Sequence, residues 1–240
     1  MSNQTVRLSV GVVAVGAAAL LVPGARGQNA YNNTTTYNGN FNYVTSSTSA
    51  TAGNEVILTG GLSSYNITSF SFQYDFSGSD VPSTATADLI FYQNNGTQVS
   101  GYSGPGTVLF NSGPFSLGTG SSAYTTGATA TFNTAALGGG VTVPQIFTWA
   151  VTFSGLTSSE SAGLALFGTI PSVGQNYGDA WYNPNGTSGT WALDVASSGN
   201  PALTFGAQIG AAVVPEPSSI ALFAMGATGL VASGWRKLRR

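Results

Sequence analysis

Hydrophobic and polar residues alternate through the middle of the chain with a period of two, whereas a helix repeats about every 3.6 residues. In the stretch 67–76, aromatic residues take every second position, with Ser, Gln and Asp between them. The stretch 147–153 repeats the pattern with Thr and Ala. Successive side chains of a strand point to opposite faces, so each stretch predicts a strand with one buried face. The predicted core residues are Phe70, Phe72, Tyr74, Phe76, Phe147, Trp149, Val151 and Phe153.

Shorter alternating stretches are separated by turn-forming Gly, Pro, Asn and Ser, which indicates many short strands. A parallel sheet needs crossover helices, and the middle of the chain shows no helical period. We therefore expect an all-β domain, an antiparallel β-sandwich with jelly-roll-like topology. The additional strands are predicted near 55–60, 85–92, 106–111, 123–133, 161–170, 189–196 and 202–209.

The N-terminal end has the features of a secretory signal. Arg7 precedes an apolar run at 8–22, which is typical of a signal-peptide core and short for a membrane span. A Pro-Gly pair follows, and Ala25 and Gly27 are small residues at the −3 and −1 positions of a cleavage site. We predict a signal helix that signal peptidase removes, leaving Gln28 as the first residue of the mature chain.

Three features follow one another at the C-terminal end. Pro215, Glu216 and Pro217 form a triplet that fits neither a helix interior nor a central strand. An apolar run at 219–235 then predicts a single transmembrane helix. The positive-inside rule keeps the basic end that follows in the cytoplasm. The residues of this end that set topology and stop transfer are Arg236, Lys237, Arg239 and Arg240.

The order of triplet, apolar run and basic end closely resembles the PEP-CTERM sorting signal. The resemblance implies that an exosortase, a membrane protease-transpeptidase, recognises the triplet and removes the tail. It also implies an inner-membrane precursor and delivery of the domain to the cell surface or the extracellular matrix. Two alternatives stay open: a permanent tail anchor, and a glycolipid-type anchor signal that also ends in an apolar tail.

These features divide the chain into six segments. They are a signal peptide at 1–27, a low-complexity lead rich in Asn, Thr and Ser at 28–54, the β-sandwich at 55–210, a linker with the triplet at 211–218, the transmembrane segment at 219–235 and the basic tail at 236–240. The lead is expected to be flexible, with one edge strand near 41–45.

Charged residues make up 6% of the chain, and their placement excludes several functions. Between Gln28 and Trp235 there is no Lys, Arg, His or Cys, so eight acids and no base give this interval a formal charge of −8. Nucleic-acid binding needs cations, so no nucleic-acid partner is expected. Histidine triads, cysteine nucleophiles, lysine Schiff bases and ordinary zinc sites lack their residues. We therefore expect neither a cofactor nor an enzyme.

The segment 177–191 concentrates aromatic rings, amides and a carboxylate, which is typical of a sugar-binding face. Rings stack on sugar rings, and the polar groups bond to hydroxyls. The alternative is that the Trp residues fill the end of the core and the Asn-Pro-Asn-Gly sequence is a turn. The candidate residues are Asp179, Trp181, Tyr182, Asn183 and Trp191.

Carboxylates suggest two further hypotheses. Asp75 and Asp80 flank a turn and could offer oxygen ligands to calcium, although Asp is also common in turns for its local hydrogen bonds. A glycosidase needs two acids about 5–10 Å apart across a cleft, and no motif surrounds any acid of the domain.

The function expected from the sequence is that of an exported cell-surface or extracellular-matrix protein whose domain is structural or adhesive. One alternative is a carbohydrate-binding module that binds extracellular polysaccharide. A second alternative is a secreted glycosidase.

The lack of cations predicts that salt hardly affects folding stability, because the mature domain has no ion pairs for salt to screen. We expect its melting temperature to change by no more than about 2 °C between low salt and about 0.5 M NaCl. Differential scanning calorimetry measures this. A steep fall in melting temperature with salt would contradict the prediction.

Overall fold

The computed structural model describes residues 27–45, 50–77, 80–81, 84–117, 120–121, 128–156, 160–168, 170–186, 189–194 and 203–213. This part of the chain contains nineteen β-strands and no α-helix. The strands are β1 (Gln28–Asn32), β2 (Tyr37–Thr45), β3 (Thr51–Ile57), β4 (Ser64–Ser77), β5 (Asp80–Val81), β6 (Thr86–Gln93), β7 (Gln98–Val99), β8 (Tyr102–Ser103), β9 (Val108–Asn111), β10 (Phe115–Ser116), β11 (Gly120–Ser121), β12 (Ala128–Phe132), β13 (Val141–Pro144), β14 (Ile146–Ser154), β15 (Ser161–Phe167), β16 (Gln175–Asn183), β17 (Ala192–Asp194), β18 (Thr204–Phe205) and β19 (Ala207–Val213).

Two antiparallel sheets contain most of these strands. The first sheet has the order β1-β19-β4-β15-β18, with β12 and β13 also paired to β4 and β2 paired to β15. The second sheet has the order β10-β6-β14-β3-β16-β17, with β9 also paired to β6. Two further pairs, β5 with β11 and β7 with β8, form small two-stranded sheets.

Aromatic rings from the two sheets meet in a shared core. Phe70 of β4 lies 5.4 Å from Trp149 of β14 and 5.0 Å from Phe91 of β6, measured between ring centroids. Phe72 lies 6.1 Å from Trp149, and Phe205 of β18 lies 6.3 Å from it. The predicted antiparallel β-sandwich is therefore confirmed. All eight core residues predicted from the alternation are buried.

The predicted terminal helices lie outside the described residues. Among the residues that are described, none belongs to a helix long and apolar enough to cross a membrane. The signal helix, the transmembrane helix and the jelly-roll-like connectivity stay predictions.

The segment 28–54 differs from the flexible lead expected from its composition. It contains β1, β2 and most of β3, and β1 pairs with β19 in the first sheet. Tyr31 is fully buried in the core. Alternation gives little sign of these strands, because their sequence is rich in Asn and Thr. Backbone hydrogen bonds to neighbouring strands, rather than a run of apolar side chains, hold them in place. At the other end, β19 extends to Val213, so the first residues of the predicted linker also belong to the sheet.

The outward face of the second sheet is also covered, which alternation did not predict. Thr148 and Ala150 of β14 point away from the core and are nevertheless fully buried. The Thr148 hydroxyl donates a hydrogen bond of 2.8 Å to Oδ1 of Asn94, which begins the segment leading to β7. A small cluster of Ile90, Tyr92 and Ala150, with Trp191 packed against it, forms a second apolar layer here.

Asn54 of β3 ties the two sheets together from inside the core. Its Nδ2 donates to the carbonyl oxygens of Asp179 in β16, at 2.6 Å, and of Leu203, at 2.9 Å. Its Oδ1 accepts the backbone N–H of Phe205, at 2.5 Å. Since β18 belongs to the first sheet and β3 to the second, this fully buried amide bonds across the sandwich.

Gly206 marks the point where β18 ends and β19 begins. A Cβ at this position would lie only 2.3 Å from the ring of Phe167, so no larger residue fits without moving a buried aromatic side chain. The backbone N–H of Gly206 bonds to Ala165 of β15, and its carbonyl accepts the N–H of Gln73 of β4. The glycine therefore lets one strand pass from pairing with β15 to pairing with β4.

Replacing Asn54 by leucine should lower the free energy of unfolding by about 3 kcal/mol, because three backbone groups, one buried and two part-buried, lose their hydrogen bonds to its side chain. Asn29→Leu is the matched control, since Asn29 is an exposed strand residue, and we expect a change within about 0.5 kcal/mol. Chemical denaturation of both variants measures the difference. Equal stability of the two variants would show that the Asn54 amide is not needed.

Candidate functional site

The residues predicted to act in export and sorting lie largely outside the described part of the chain. This is so for Ala25, for the triplet Pro215, Glu216 and Pro217, and for the basic residues Arg236, Lys237, Arg239 and Arg240. Gln28, the predicted first residue of the mature chain, is the first residue of β1. The last described residue is Val213, at the end of β19, so the triplet follows the sheet almost directly.

The five predicted sugar-binding residues do not share one exposed face. Trp181 is only 1% exposed and Asn183 is fully buried. Trp191 packs against Tyr92, with ring centroids 5.4 Å apart. Tyr182 is 36% exposed, whereas Asp179 is half-buried. Side chains buried in this way cannot form the stacking surface that the sequence suggested.

The two residues predicted to bind calcium are placed in strands rather than in a loop. Asp75 is buried within β4, where it pairs with Gly163 of β15. Asp80 begins the short strand β5. Within the described ranges, no three His, Cys, Asp or Glu residues come together in a way that could hold a metal ion.

A bulge in β16 opens the second sheet beside Glu55. Asn176 pairs with Val56 of β3 and Ala180 pairs with Asn54, so the three residues 177–179 lie opposite Glu55 alone. Gly178, in this bulge, has φ of +75°, a conformation that favours glycine. Bulges of this kind bend a strand and re-aim its side chains. Here the bulge leaves Tyr177 47% exposed.

The hairpin of β7 and β8 lies opposite the bulge in β16, across a cleft. Its two turn residues, Ser100 and Gly101, have φ of 52° and 87°, which is the type I′ geometry of a tight hairpin. At its base, Gly104 packs against Trp181, and a Cβ on this glycine would lie 3.2 Å from the indole ring. The hairpin therefore buries Trp181 and places Tyr102 next to Tyr177.

The space between hairpin and bulge is a cleft of about 400 Å³, which we call the tyrosine cleft. Exposed apolar side chains line it, namely Tyr102, Tyr177 and Ile146. Polar side chains also line it, namely Glu55, Gln93 and Asn94. The centroids of the two tyrosine rings are 6.1 Å apart, and the ring planes are inclined at 60°. Sites for small ligands commonly occupy about 300–1,000 Å³, so the cleft has a suitable size.

Glu55 is the carboxyl group of this cleft, and its pKa is raised to about 7. Burial is the main cause, because it disfavours the charged form. A hydrogen bond with the Trp181 side chain lowers the pKa, and the charge of Asp179 raises it further. Burial, and then the nearby Glu55 and Tyr102, likewise raise the pKa of Tyr177. Near neutral pH, Glu55 can therefore both donate and accept hydrogen bonds.

Sequence reasoning missed Glu55 and Tyr102, and it named Trp181 where Tyr177 is the exposed ring. Two local signals were available. Ser100-Gly101 suits a two-residue hairpin turn, and Gly178 within an otherwise strand-like segment suggests a bulge. Neither signal shows that these two features meet, since they are separated by about 75 residues of sequence.

The raised pKa of Glu55 predicts that this residue lowers stability as pH rises. The folded value of about 7 exceeds the reference value of 4.5, so its contribution is complete below pH 4.5 and is lost towards pH 7. Glu55→Gln mimics the neutral acid. Relative to the wild type, the free energy of unfolding of the variant should increase by about 1–2 kcal/mol when the pH is raised from 4.5 to 8. This figure allows for solvent screening of the partly exposed carboxyl group. Urea unfolding at both pH values measures this, and parallel pH curves would contradict it.

Comparisons with known proteins identify the C-terminal end of the chain. No curated protein and no solved structure gives a significant match. A family model, the PEP-CTERM protein-sorting motif, matches residues 213–240. The matched range begins at the last residue of β19 and contains the proline-glutamate-proline triplet, the apolar run and the basic end. The chain therefore carries a PEP-CTERM sorting motif, which marks it as a protein sorted via exosortase to the cell surface.

Proposed function

We propose that the chain is a non-enzymatic component of the cell surface or extracellular matrix. The β-sandwich is the exported domain, and the C-terminal motif is its sorting signal. The observation that carries this proposal is the match of residues 213–240 to the sorting motif. The distribution of charge supports it, because every Lys and Arg lies in one of the two terminal segments.

In this proposal, the tail acts in three steps. The apolar run holds the precursor in the inner membrane, and the basic end stays in the cytoplasm. Pro215 and Pro217 keep the triplet extended and open to an exosortase, which removes the tail. Signal peptidase removes the N-terminal segment before Gln28. The domain then reaches the cell surface or the matrix.

The position of β19 suits a protein held by its C-terminal end. This strand leads directly to the motif, and it is hydrogen-bonded to β1 on one side and to β4 on the other. A pull on the C-terminal end therefore acts on a strand that is paired along both edges. The pairing with β1 also holds Gln28, the predicted first residue of the mature chain, in the same sheet. Both features favour a structural or adhesive role.

The absence of catalytic residue types supports a non-enzymatic domain. Between Gln28 and Trp235, no His, Cys, Lys or Arg is present in the sequence. Acid–base catalysis would have to rest on carboxylates and tyrosines, and nucleophilic catalysis on carboxylates and hydroxyl groups that have no histidine or lysine to activate them. Glu55 and Asp179 are the carboxylates that interact at the tyrosine cleft, so a glycosidase is the enzymatic alternative that experiments need to exclude.

Replacing Pro215, Glu216 and Pro217 together by alanine should block processing, because the triplet that the exosortase recognises is lost. We expect the variant to accumulate in the membrane fraction as a precursor that still contains Trp235, while the wild type loses this residue. Mass spectrometry of C-terminal peptides from both fractions measures the outcome.

The matched control replaces Ser218 and Ser219 by alanine, which changes the neighbouring positions and leaves the triplet intact. This control should be processed and exported like the wild type. Normal release of the triplet variant would contradict the proposal. Retention of Trp235 in the wild-type surface protein would instead favour the permanent tail anchor.

A further inference from the structure

Exposed hydrophobic side chains are concentrated at the tyrosine cleft. Seven large hydrophobic residues are exposed within the described part of the chain, and Tyr102, Ile146 and Tyr177 are three of them. Their exposed fractions are 40%, 37% and 47%. They come from three separate parts of the sequence and converge on one cleft. Clustered exposed apolar surface commonly marks a binding site, because it costs free energy unless a ligand covers it.

Both walls of the cleft are built rigidly. The backbone N–H of Gly96 bonds to the carbonyl of Gly104 at 2.9 Å, which closes the base of the hairpin. In the bulge, Asn176 Nδ2 donates to the Tyr31 hydroxyl at 3.0 Å, and Asn176 Oδ1 accepts the N–H of Gly178 at 3.3 Å. A site whose walls are already ordered loses little entropy when a ligand binds.

The two tyrosine rings determine the shape of a suitable ligand. Their planes are inclined at 60°, so Tyr102 and Tyr177 do not form one flat surface. A flat crystalline polymer could cover only one of the rings. A single soluble chain that turns between successive units can place one unit against each ring. The phenol rings offer apolar faces and their hydroxyls remain able to bond with water or ligand.

Polar groups on the same cleft suit hydroxyl groups. Glu55 accepts and, when protonated, donates hydrogen bonds, and its pKa of about 7 makes both forms available near neutral pH. Gln93 is exposed and brings both a donor and an acceptor. Apolar ring faces beside a mixed set of donors and acceptors are what a sugar ring requires.

Charge restricts the ligand further. Glu55 is accompanied by Asp179, and residues 28–213 contain seven acids and no base, which gives a formal charge of −7. An acidic polysaccharide would meet repulsion with no cation to offset it. We propose that the tyrosine cleft binds a single chain of a neutral glycan, with Tyr102 and Tyr177 each stacking on one sugar unit. Such binding rests on the adhesive role proposed above and specifies the class of ligand. It is independent of sorting, because the cleft and residues 213–240 do not overlap.

The test uses the full chain, purified in a detergent without a sugar headgroup. An array of neutral oligosaccharides, including gluco-, manno-, galacto- and xylo-oligosaccharides, is screened at pH 8, with oligomers of uronic acids on the same array. The neutral oligosaccharide that gives the highest signal is then titrated by isothermal calorimetry. We expect binding of at least one neutral glycan and none of the uronic acid oligomers.

Variants then assign binding to the cleft. Tyr102→Ala and Tyr177→Ala should each weaken binding about tenfold or more, which corresponds to about 1.4 kcal/mol. The phenylalanine variants of both residues keep the rings and should bind within about threefold of the wild type. Tyr182→Ala is the matched control. Tyr182 is an exposed tyrosine of β16, the strand that contains Tyr177, and it does not line the cleft. Melting temperatures of all variants establish that they fold.

Any of five results would overturn the proposal. Four concern binding: no binding to any neutral glycan on the array, equal or tighter binding of uronic acid oligomers, unchanged affinity in folded Tyr102→Ala and Tyr177→Ala variants, and the same loss of affinity in Tyr182→Ala. The fifth is release of new reducing ends from the bound oligosaccharide, which would favour a glycosidase. None of these results bears on sorting, which the triplet variant tests separately.

Discussion

The buried amide of Asn54 is the interaction on which both the sandwich and its cleft depend. It bonds to the backbone of β16, to Leu203 and to Phe205, so one side chain links the second sheet to the first. Its bond to the carbonyl of Asp179 also fixes the end of the bulge at 177–179. The geometry that exposes Tyr177 beside Glu55 therefore begins inside the core. Aromatic and aliphatic side chains pack the core, and the Asn54 amide fixes the relative position of its strands, because hydrogen bonds tolerate little misalignment.

The lack of cations connects the physical character of the domain to its role. Neutral Asn, Ser, Thr, Gln and Gly supply the polarity of the sequence between the two ends, so carboxyl groups have no Lys or Arg nearby to stabilise their charged form. The pKa of Glu55 consequently responds to burial with little opposition. The same composition predicts no nucleic-acid binding and, in our proposal, favours neutral glycans over acidic ones. All six basic residues lie at the two ends, which the sequence predicts to interact with the membrane.

Strand prediction from alternation succeeded where apolar side chains occupy every second position over a long stretch. The aromatic stretch in β4 and the stretch in β14 were identified with their buried faces. It failed for β1, a short Asn-rich strand that backbone pairing with β19 holds in the sheet, whereas the edge strand expected near 41–45 is part of β2. For the segment 177–191, the aromatic residues allowed two interpretations, a sugar-binding surface or Trp residues buried in the core, and Trp181 is buried. A hairpin that closes over the sheet buries Trp181, and no pattern within β16 reveals that hairpin.

The sequence alone determined the strand-built domain, the confinement of cations to the ends and the sorting motif at residues 213–240. These are local or compositional properties: a period of two, a count of charges and three features in a fixed order. Only the tertiary structure decided which aromatic rings face solvent and which carboxyl group lies beside them. Exposure depends on the partner that packs against a side chain, and for Trp181 and Glu55 the partners are brought by chain segments distant in sequence.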